Sequence, residues 1–388
     1  MNKIVKLLSP CLLLFTFTAT GFASEPTVVQ LKQDSSLFKQ YTKKSVLEIL
    51  NKVADWQLEN PTGKDLNTWE YGPFYQGLMK LYKVGNQKKY YQKTIEMGNK
   101  VNWEPRPRPY DANSLAIVSA FADVYSYSKD SKMIDKSRFL MDMPVERRLY
   151  TAEDGKSFEP EVNLKQNKYW YEWWTWCDAL FMAPPAYAQL SKQLNKPAYM
   201  SHMVKNWWLT SDYLYSKSDS LFYRDDRAFE FRTVNGKKVF WSRGNGWVIG
   251  GLCGVMDYMD KLDPRRKKFE QQFIEMNTKL LSIQLKDGTW SQSLIDPTTY
   301  PQKETSGTAF FCYGMAWGIN NGLLPKEKYL PAVQKAWVAL LKSVDPKGML
   351  GDVQLVGDKP ENVSPKDTET YGVGAFLMAG TEIYKMLN

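Results

Sequence analysis

The chain has 388 residues, 43% hydrophobic and 14% aromatic, with a net charge of +9 and a single histidine, His202. That length supports one large core or two or three smaller ones. One histidine leaves Ser-His-Asp relays, His-based zinc sites and histidine acid–base chemistry without a credible set of partners, so proton transfer falls to carboxylates, Tyr or Lys.

The chain opens with Lys3 and Lys6, an apolar run from about Leu12 to Ala19, and Gly21-Phe22-Ala23. This is the pattern of a cleaved secretory signal over residues 1–23. Cys11 follows Pro10 rather than a small-residue lipobox, so a cleaved signal is favoured over a lipid anchor. Residues 24–388 are then expected as one exported domain, periplasmic or extracellular in a bacterium. No other stretch is long and apolar enough to span a bilayer.

From Ser35 to about Asn60, apolar residues fall at helical spacing (Tyr41, Val46, Leu50, Val53). A loop containing Trp69 and Tyr71 leads into an apolar helix over Phe74–Tyr82. An amphipathic helix over Tyr90–Val101 follows, then a Pro/Arg loop, then Asp111 and Asn113 at the start of an apolar helix to about Tyr125. The third cycle is a helix near Ser131–Met141, a polar loop, and the aromatic run YWYEWWTWCDALFMAPP from Tyr169 to Pro185, with Asp178 ahead of its apolar turn. The fourth is Ala198–Tyr215, a loop with Tyr223, Arg224 and Arg227, then Arg243, Asn245 and Trp247 before the helix Val248–Met259. The fifth is Lys267–Leu285, then Glu304, Thr305 and Ser306 before a helix to about Asn320. The sixth is Lys328–Val344, then Glu369 and Tyr371 before Val373–Met386. Strand signals are local: Phe222–Tyr223 and Val239–Trp241 flank Asn235-Gly236 as a hairpin.

Loops opening the small-residue helices start near 71, 111, 177, 246, 306 and 371 and, after a shorter first step, recur about every sixty-odd residues, which signals a repeat architecture. Six apolar helices ringed by six amphipathic ones make an all-α toroid, an (α/α)6 barrel. The inner helices need Gly and Ala because they crowd the axis. Their entering loops converge at one end, where helix N-termini favour negative charge.

Cys177, Cys253 and Cys312 lie in apolar segments, with no Cys-x-x-Cys, so they read as buried small hydrophobes rather than as disulfides or a zinc site. No metal or cofactor is expected. His202 sits in an amphipathic helix and reads as a packing or surface residue. The basic balance favours an anionic ligand or simply aids solubility. No compact Lys/Arg run with interleaved aromatics occurs, which argues against nucleic acid. The sequence sets no oligomeric state.

Rings stack on sugar C–H faces, so aromatics beside a carboxylate suggest a carbohydrate pocket. The bland reading of the same run is an aromatic core segment in which Asp178 caps the next helix. A toroid also serves binding and lipid chemistry, so fold alone decides nothing.

The motifs WCDALFMAPP, FWSRGNGW and ETSGTAFFCYG resemble glycoside hydrolase family 105, the unsaturated rhamnogalacturonyl hydrolases, and more loosely the unsaturated glucuronyl hydrolases of family 88. The likeness runs from about Trp69 to the C-terminus. It implies removal of a 4,5-unsaturated uronic acid from the non-reducing end of polysaccharide-lyase products derived from rhamnogalacturonan, ulvan or arabinogalactan. In that chemistry an acid protonates C4 of an enol ether, water adds at C5, and the hemiketal opens and expels the sugar, unlike hydrolysis by two opposed carboxylates. The resemblance makes Asp178 the acid and then base, with Asp111 beside it raising its pKa. Arg243 would hold the uronate or other sugar oxygens, Trp247 and Trp176 would stack on sugar, and Trp69, Tyr71, Asn113, Tyr223, Arg224, Glu304 and Thr305 would complete the pocket. The family's pocket histidines are missing here. Tyr223, Arg224 and Arg227 stand where one is sought, as binders of a sulfated or second acidic sugar or as solvated loop charges. Two further readings are a non-catalytic sugar-binding toroid, which does not need Asp178, and a polysaccharide lyase, which normally needs a Tyr, His or Lys base.

Overall fold

The computed structural model describes residues 40–108, 110–146 and 174–387. The signal read at 1–23 and most of the aromatic run before Trp174 lie outside them.

Helix α1 (Lys43–Glu59) starts at a capping box in which Thr42 and Ser45 each satisfy the other's backbone N–H. Its apolar stripe of Val46, Leu50 and Val53 is buried, as the spacing requires. Then α2 (Tyr71–Gly85) runs inward and is buried along most of its length. The alternation continues through α3 (Lys88–Lys100), α4 (Val118–Ser128), α5 (Asp135–Val145), the broken pair α6 (Ala179–Met182) and α7 (Pro184–Gln193), and α8 (Pro197–Leu214). It ends with α9 (Ser242–Tyr258), α10 (Arg266–Ser282), α11 (Thr305–Asn320), α12 (Lys326–Leu341) and α13 (Thr370–Met386). Inner helices touch in the cycle α2–α4–α7–α9–α11–α13 and back to α2, which closes the ring. This is the expected (α/α)6 barrel.

Crowding at the axis shows at two glycines. A Cβ on Gly251 of α9 would lie 2.1 Å from the Leu180 carbonyl oxygen, and one on Gly374 of α13 would lie 2.3 Å from the Pro73 carbonyl carbon. No side chain fits at either contact. Outer helices bind through larger groups: Trp337 of α12 stacks on Phe376 of α13, 5.1 Å between centroids and 23° between planes.

Three expectations shift. The sequence RGNGW lies inside the first turns of α9 rather than in the loop before it. The segment after Asp111 is a short 3-10 helix, Ala112–Leu115, before α4 begins. The hairpin is local: β1 (Tyr215–Ser216) pairs with β2 (Leu221–Phe222). Asn235-Gly236 does turn, with Gly236 at φ +71°, but it closes a single bridge between Arg232 and Lys238. Ser216 and Leu221, close neighbours in the chain, pair at less entropic cost than Tyr223 and Val239, which lie much farther apart.

Candidate active site

Asp178 sits at the N-cap position of α6, yet its backbone is already helical and its side chain makes no capping hydrogen bond. The bland reading is therefore not realised. The carboxylate instead accepts a hydrogen bond from Arg224 Nε to its Oδ2 at 3.2 Å. Asp178 is 6% exposed. Burial pushes its carboxyl above the usual carboxylate range; Arg224 and then Arg243 pull it back, and Asp225 pushes it up. The like charge acting on it is thus Asp225, where the sequence pointed to Asp111.

Arg224 comes from the loop after β2. The backbone fixes that loop to the Asp178 segment, since Cys177 N donates to the Arg224 carbonyl at 2.8 Å. Arg224 Nη1 donates to Asp225 Oδ2 at 2.6 Å. Asp225 also accepts from Arg227 Nη2 at 2.6 Å, and Arg227 reaches Asp358 at 2.8 Å. Burial works against the charge on Asp225, but the hydrogen bonds from Arg227 and Arg224 outweigh it and hold the carboxyl below its usual value. So Arg224 and Arg227 form an ordered ion chain beside Asp178, although the Arg227 side chain stays 59% exposed. Asp225, the hub, was not singled out in the sequence; the Arg-Asp-Asp-Arg run was the signal for it.

Asp111 caps the 3-10 helix, accepting from Asn113 N at 2.9 Å. Burial raises its pKa, against that backbone bond and the nearby Arg108. The 3-10 helix packs on α6, which brings the starts of the two acid-bearing segments together. Asn113 contributes its backbone N–H to Asp111.

The remaining expected residues separate into two groups. Trp69 is half-buried, with one face stacked on Tyr371 at 5.4 Å and 18° and its edge toward Trp247 at 6.2 Å. Tyr223 is half-buried and leans on Phe229 and Phe240. These two, with Arg224 and Asn113, are the expected ligand groups that retain exposure beside the acid or the helix starts. Trp247 is instead 1% exposed and wedged among Phe181, Phe310 and Tyr371. Trp176 is likewise buried, and Tyr71 is buried with its hydroxyl bonded to Thr62. These three rings are packing groups, since rings this large gain more from full burial than from one wet face.

Arg243 corrects an expectation. Its guanidinium is buried; Nη1 donates to the Gln354 carbonyl at 2.7 Å and Nη2 to the carbonyls of Leu355 at 3.0 Å and Gly357 at 3.4 Å. Trp241 and Tyr371 flank it at 4.3 and 4.9 Å. It clamps the 354–357 loop, and its field, not a hydrogen bond, reaches Asp178. Glu304 is a second correction. It is fully buried and caps α11, accepting from Ser306 N at 2.9 Å, Gly307 N at 2.8 Å and Gln354 N at 3.3 Å. Thr305 Oγ1 donates to the Gly351 carbonyl at 2.9 Å. Both residues build the wall rather than face a ligand. Gln354, whose backbone meets both Arg243 and Glu304, carried no sequence signal.

His202 packs against Trp174 and Tyr187, and burial lowers its pKa to about 4. The base that a lyase would draw from histidine is therefore absent from the mouth. Cys177, Cys253 and Cys312 are free and buried, as expected.

The chain was compared with known proteins. The model of Glycosyl Hydrolase Family 88 matches residues 31–387. An unsaturated 3S-rhamnoglycuronyl hydrolase of Formosa agariphila is 36% identical over 345 residues, 86% of this chain and 89% of that protein. A solved family 88 glycosyl hydrolase from Bacteroides vulgatus is 28% identical, with a TM-score of 0.79 over 89% of this chain and all of that one. Another solved structure, described as a polysaccharide lyase, is 27% identical with a TM-score of 0.78 over 89% of this chain and 98% of its own. By the extent of the family match and of the Formosa relative, this chain belongs to glycosyl hydrolase family 88, and it is a hydrolase acting on unsaturated uronic acid.

Proposed function

We propose that Asp178 is the proton donor of this hydrolase and that the sugar expelled is a sulfated rhamnose, as part of the family 105-like branch the motifs resemble. The observation that carries the first part is the placement of Asp178: buried, free of any capping duty, raised by burial, and held by one guanidinium at 3.2 Å. A carboxyl raised in this way keeps its proton toward neutral pH, which a general acid needs.

The steps then follow from the chain's own groups. Asp178 delivers its proton to C4 of the enol ether, and the positive charge left at C5 is shared with the ring oxygen. Asp178, now a carboxylate, takes a proton from water as its oxygen bonds to C5. The hemiketal opens, and the bond to the leaving sugar breaks as its oxygen is protonated. One water is consumed, and no oxidant or reductant is needed.

The leaving sugar is read from the Formosa relative's named substrate and from rim cations. Arg108 and Arg227 are 75% and 59% exposed at the side chain, beside Asp111 and Asp225, and exposed guanidinium groups suit an anionic ester. The test is loss of the ultraviolet absorbance of the conjugated C=C on lyase products, compared between sulfated and desulfated disaccharides. A preference for the desulfated substrate would reject the sulfate reading; a gain of absorbance on intact polysaccharide would reject the hydrolase chemistry. We propose too that the enzyme is exported after cleavage near Ser24, on the pattern of residues 1–23. Mass spectrometry of the secreted protein should find that N-terminus, and an intact Met1 or an acylated Cys11 counts against it.

A further inference from the structure

We propose that Arg224 is shared between two carboxylates in turn: in the free enzyme it pairs with Asp178 and weakens that acid's hold on its proton, and the carboxylate of an arriving uronate draws it away, so that Asp178 holds its proton more firmly with substrate in place. This rests on the reading of Asp178 as proton donor.

The geometry is unequal at the two ends of this guanidinium. Toward Asp225 it makes a 2.6 Å bond, and Asp225 is itself fixed by the Arg227 side chain and by Arg227 N at 3.1 Å. Toward Asp178 it makes one contact, at 3.2 Å through Nε. Its other terminal nitrogen, Nη2, has no hydrogen-bond partner among the described residues. The Arg224 side chain is 19% exposed where that of Asp178 is 9%, so an incoming anion meets the guanidinium first. Because the Arg224 carbonyl is held by Cys177 N, the guanidinium rather than the backbone has room to turn, about its Asp225 anchor. A bidentate guanidinium–carboxylate pair is stronger than a single long contact.

The other groups around Asp178 cannot take over the role. Arg243, from α9, spends both terminal nitrogens on carbonyls of the 354–357 loop and has only a buried Nε unpaired, so its guanidinium is held in place by that loop. Asp225 carries like charge. Burial keeps the Cys177 thiol protonated. Asp111, on the 3-10 helix packed against α6, has Arg108 at 3.8 Å. Withdrawing Arg224 removes the nearest cation from Asp178 and adds a substrate anion, and both changes favour the protonated acid. The proton comes from solvent, an O–H bond forming on Asp178 as one in hydronium breaks, and no other bond is made or broken in this step.

The experiment is a pair of pH profiles, kcat/KM for free enzyme and kcat for the complex, read by loss of C=C absorbance. An adjacent guanidinium shifts a carboxyl by roughly 1–3 pH units, so the alkaline limb of kcat should lie higher than that of kcat/KM by an amount in that range. In Arg224→Gln the free-enzyme limb should rise to meet the other, and KM should increase by about tenfold or more. Arg224→Lys should restore part of both. Coincident limbs in the wild type overturn the proposal, as does an Arg224→Gln enzyme slowed equally at every pH with the limbs still apart, the result of a purely structural role. Proton uptake on binding a saturated uronic acid glycoside, measured calorimetrically in two buffers at a pH between the limbs, needs no variant. About one proton per site supports the proposal, and none overturns it. Full turnover by Asp178→Asn would instead sink the reading of the donor, and is recognised separately because it leaves the Arg224 profiles uninterpreted as donor titrations.

Discussion

Both ends of the inner ring bury charge, but they do so differently. At the far end, where the inner helices finish, Asp123 accepts from Lys83 at 2.7 Å, Gln189 at 2.9 Å and Tyr258 at 3.4 Å. Asp257 accepts from Lys80 at 3.3 Å and from the Trp317 indole at 2.8 Å, and Glu382 from Lys385 at 2.6 Å and Asn320 at 2.8 Å. All six inner helices join this network. At the mouth, Asp178 has one side-chain nitrogen donor, Arg224, and Asp111 one backbone N–H with Arg108 3.8 Å away. A carboxylate held by several donors from neighbouring helices is scaffold. One left short of donors keeps its proton longer and is available for chemistry.

The largest effect expected from that contrast is at Asp178. Asp178→Asn keeps shape but delivers no proton, so kcat on an unsaturated disaccharide should fall by roughly 10²–10⁴, while the protein still melts cooperatively. Near wild-type kcat would break the comparison at its catalytic end. Asp123→Ala should do the reverse: a loss of about 3 kcal/mol in denaturant unfolding, at the low end for a broken buried pair because Lys83 is one-third exposed, with kcat of the folded enzyme unchanged. An unchanged melt would show that the far-end network is not scaffold. Glu304→Ala removes the α11 cap and a contact to the Gln354 backbone, and about 1–2 kcal/mol of stability should go with it. A KM change without that loss would return Glu304 to the ligand.

The smallest effect is one of sign. Burial holds Asp111 above its ordinary pKa, so its ionisation opposes folding. Its contribution is fully present below the unfolded value of about 4 and is lost as pH rises through the folded value. Asp111→Asn keeps an acceptor for Asn113 N. It should therefore melt at or above wild type at neutral pH, with the difference vanishing below about pH 4. A variant that melts lower at neutral pH and equal in acid would mean that Asp111 is stabilised as the anion, like the far-end acids.

Helix periodicity is legible through most of the chain, because it depends on neighbours three and four residues away, but α7 (Pro184–Gln193) had no bounds in the sequence and α9 begins at Ser242 rather than Val248. The Glu304 cap was also local, an acid ahead of Thr-Ser-Gly and an apolar run, and was passed over because its motif suggested a ligand. Asp178 was legible as a position, through WCDALFMAPP, but not as a side chain in an environment.

What the sequence by itself determined is the ring of alternating helices, the chemistry available to it without histidine, and the acid at the head of α6. Those follow from local spacing and residue type. Tertiary structure alone decided what each charged group faces. Arg224 reaches Asp178 across 46 residues, and Arg243 is consumed by carbonyls 111 to 114 residues away. One arginine became a ligand for the acid and the other a clamp on a loop. Nothing in either local sequence separates them, since a guanidinium's role is set by which acceptors the closed ring brings within 3 Å or so of it.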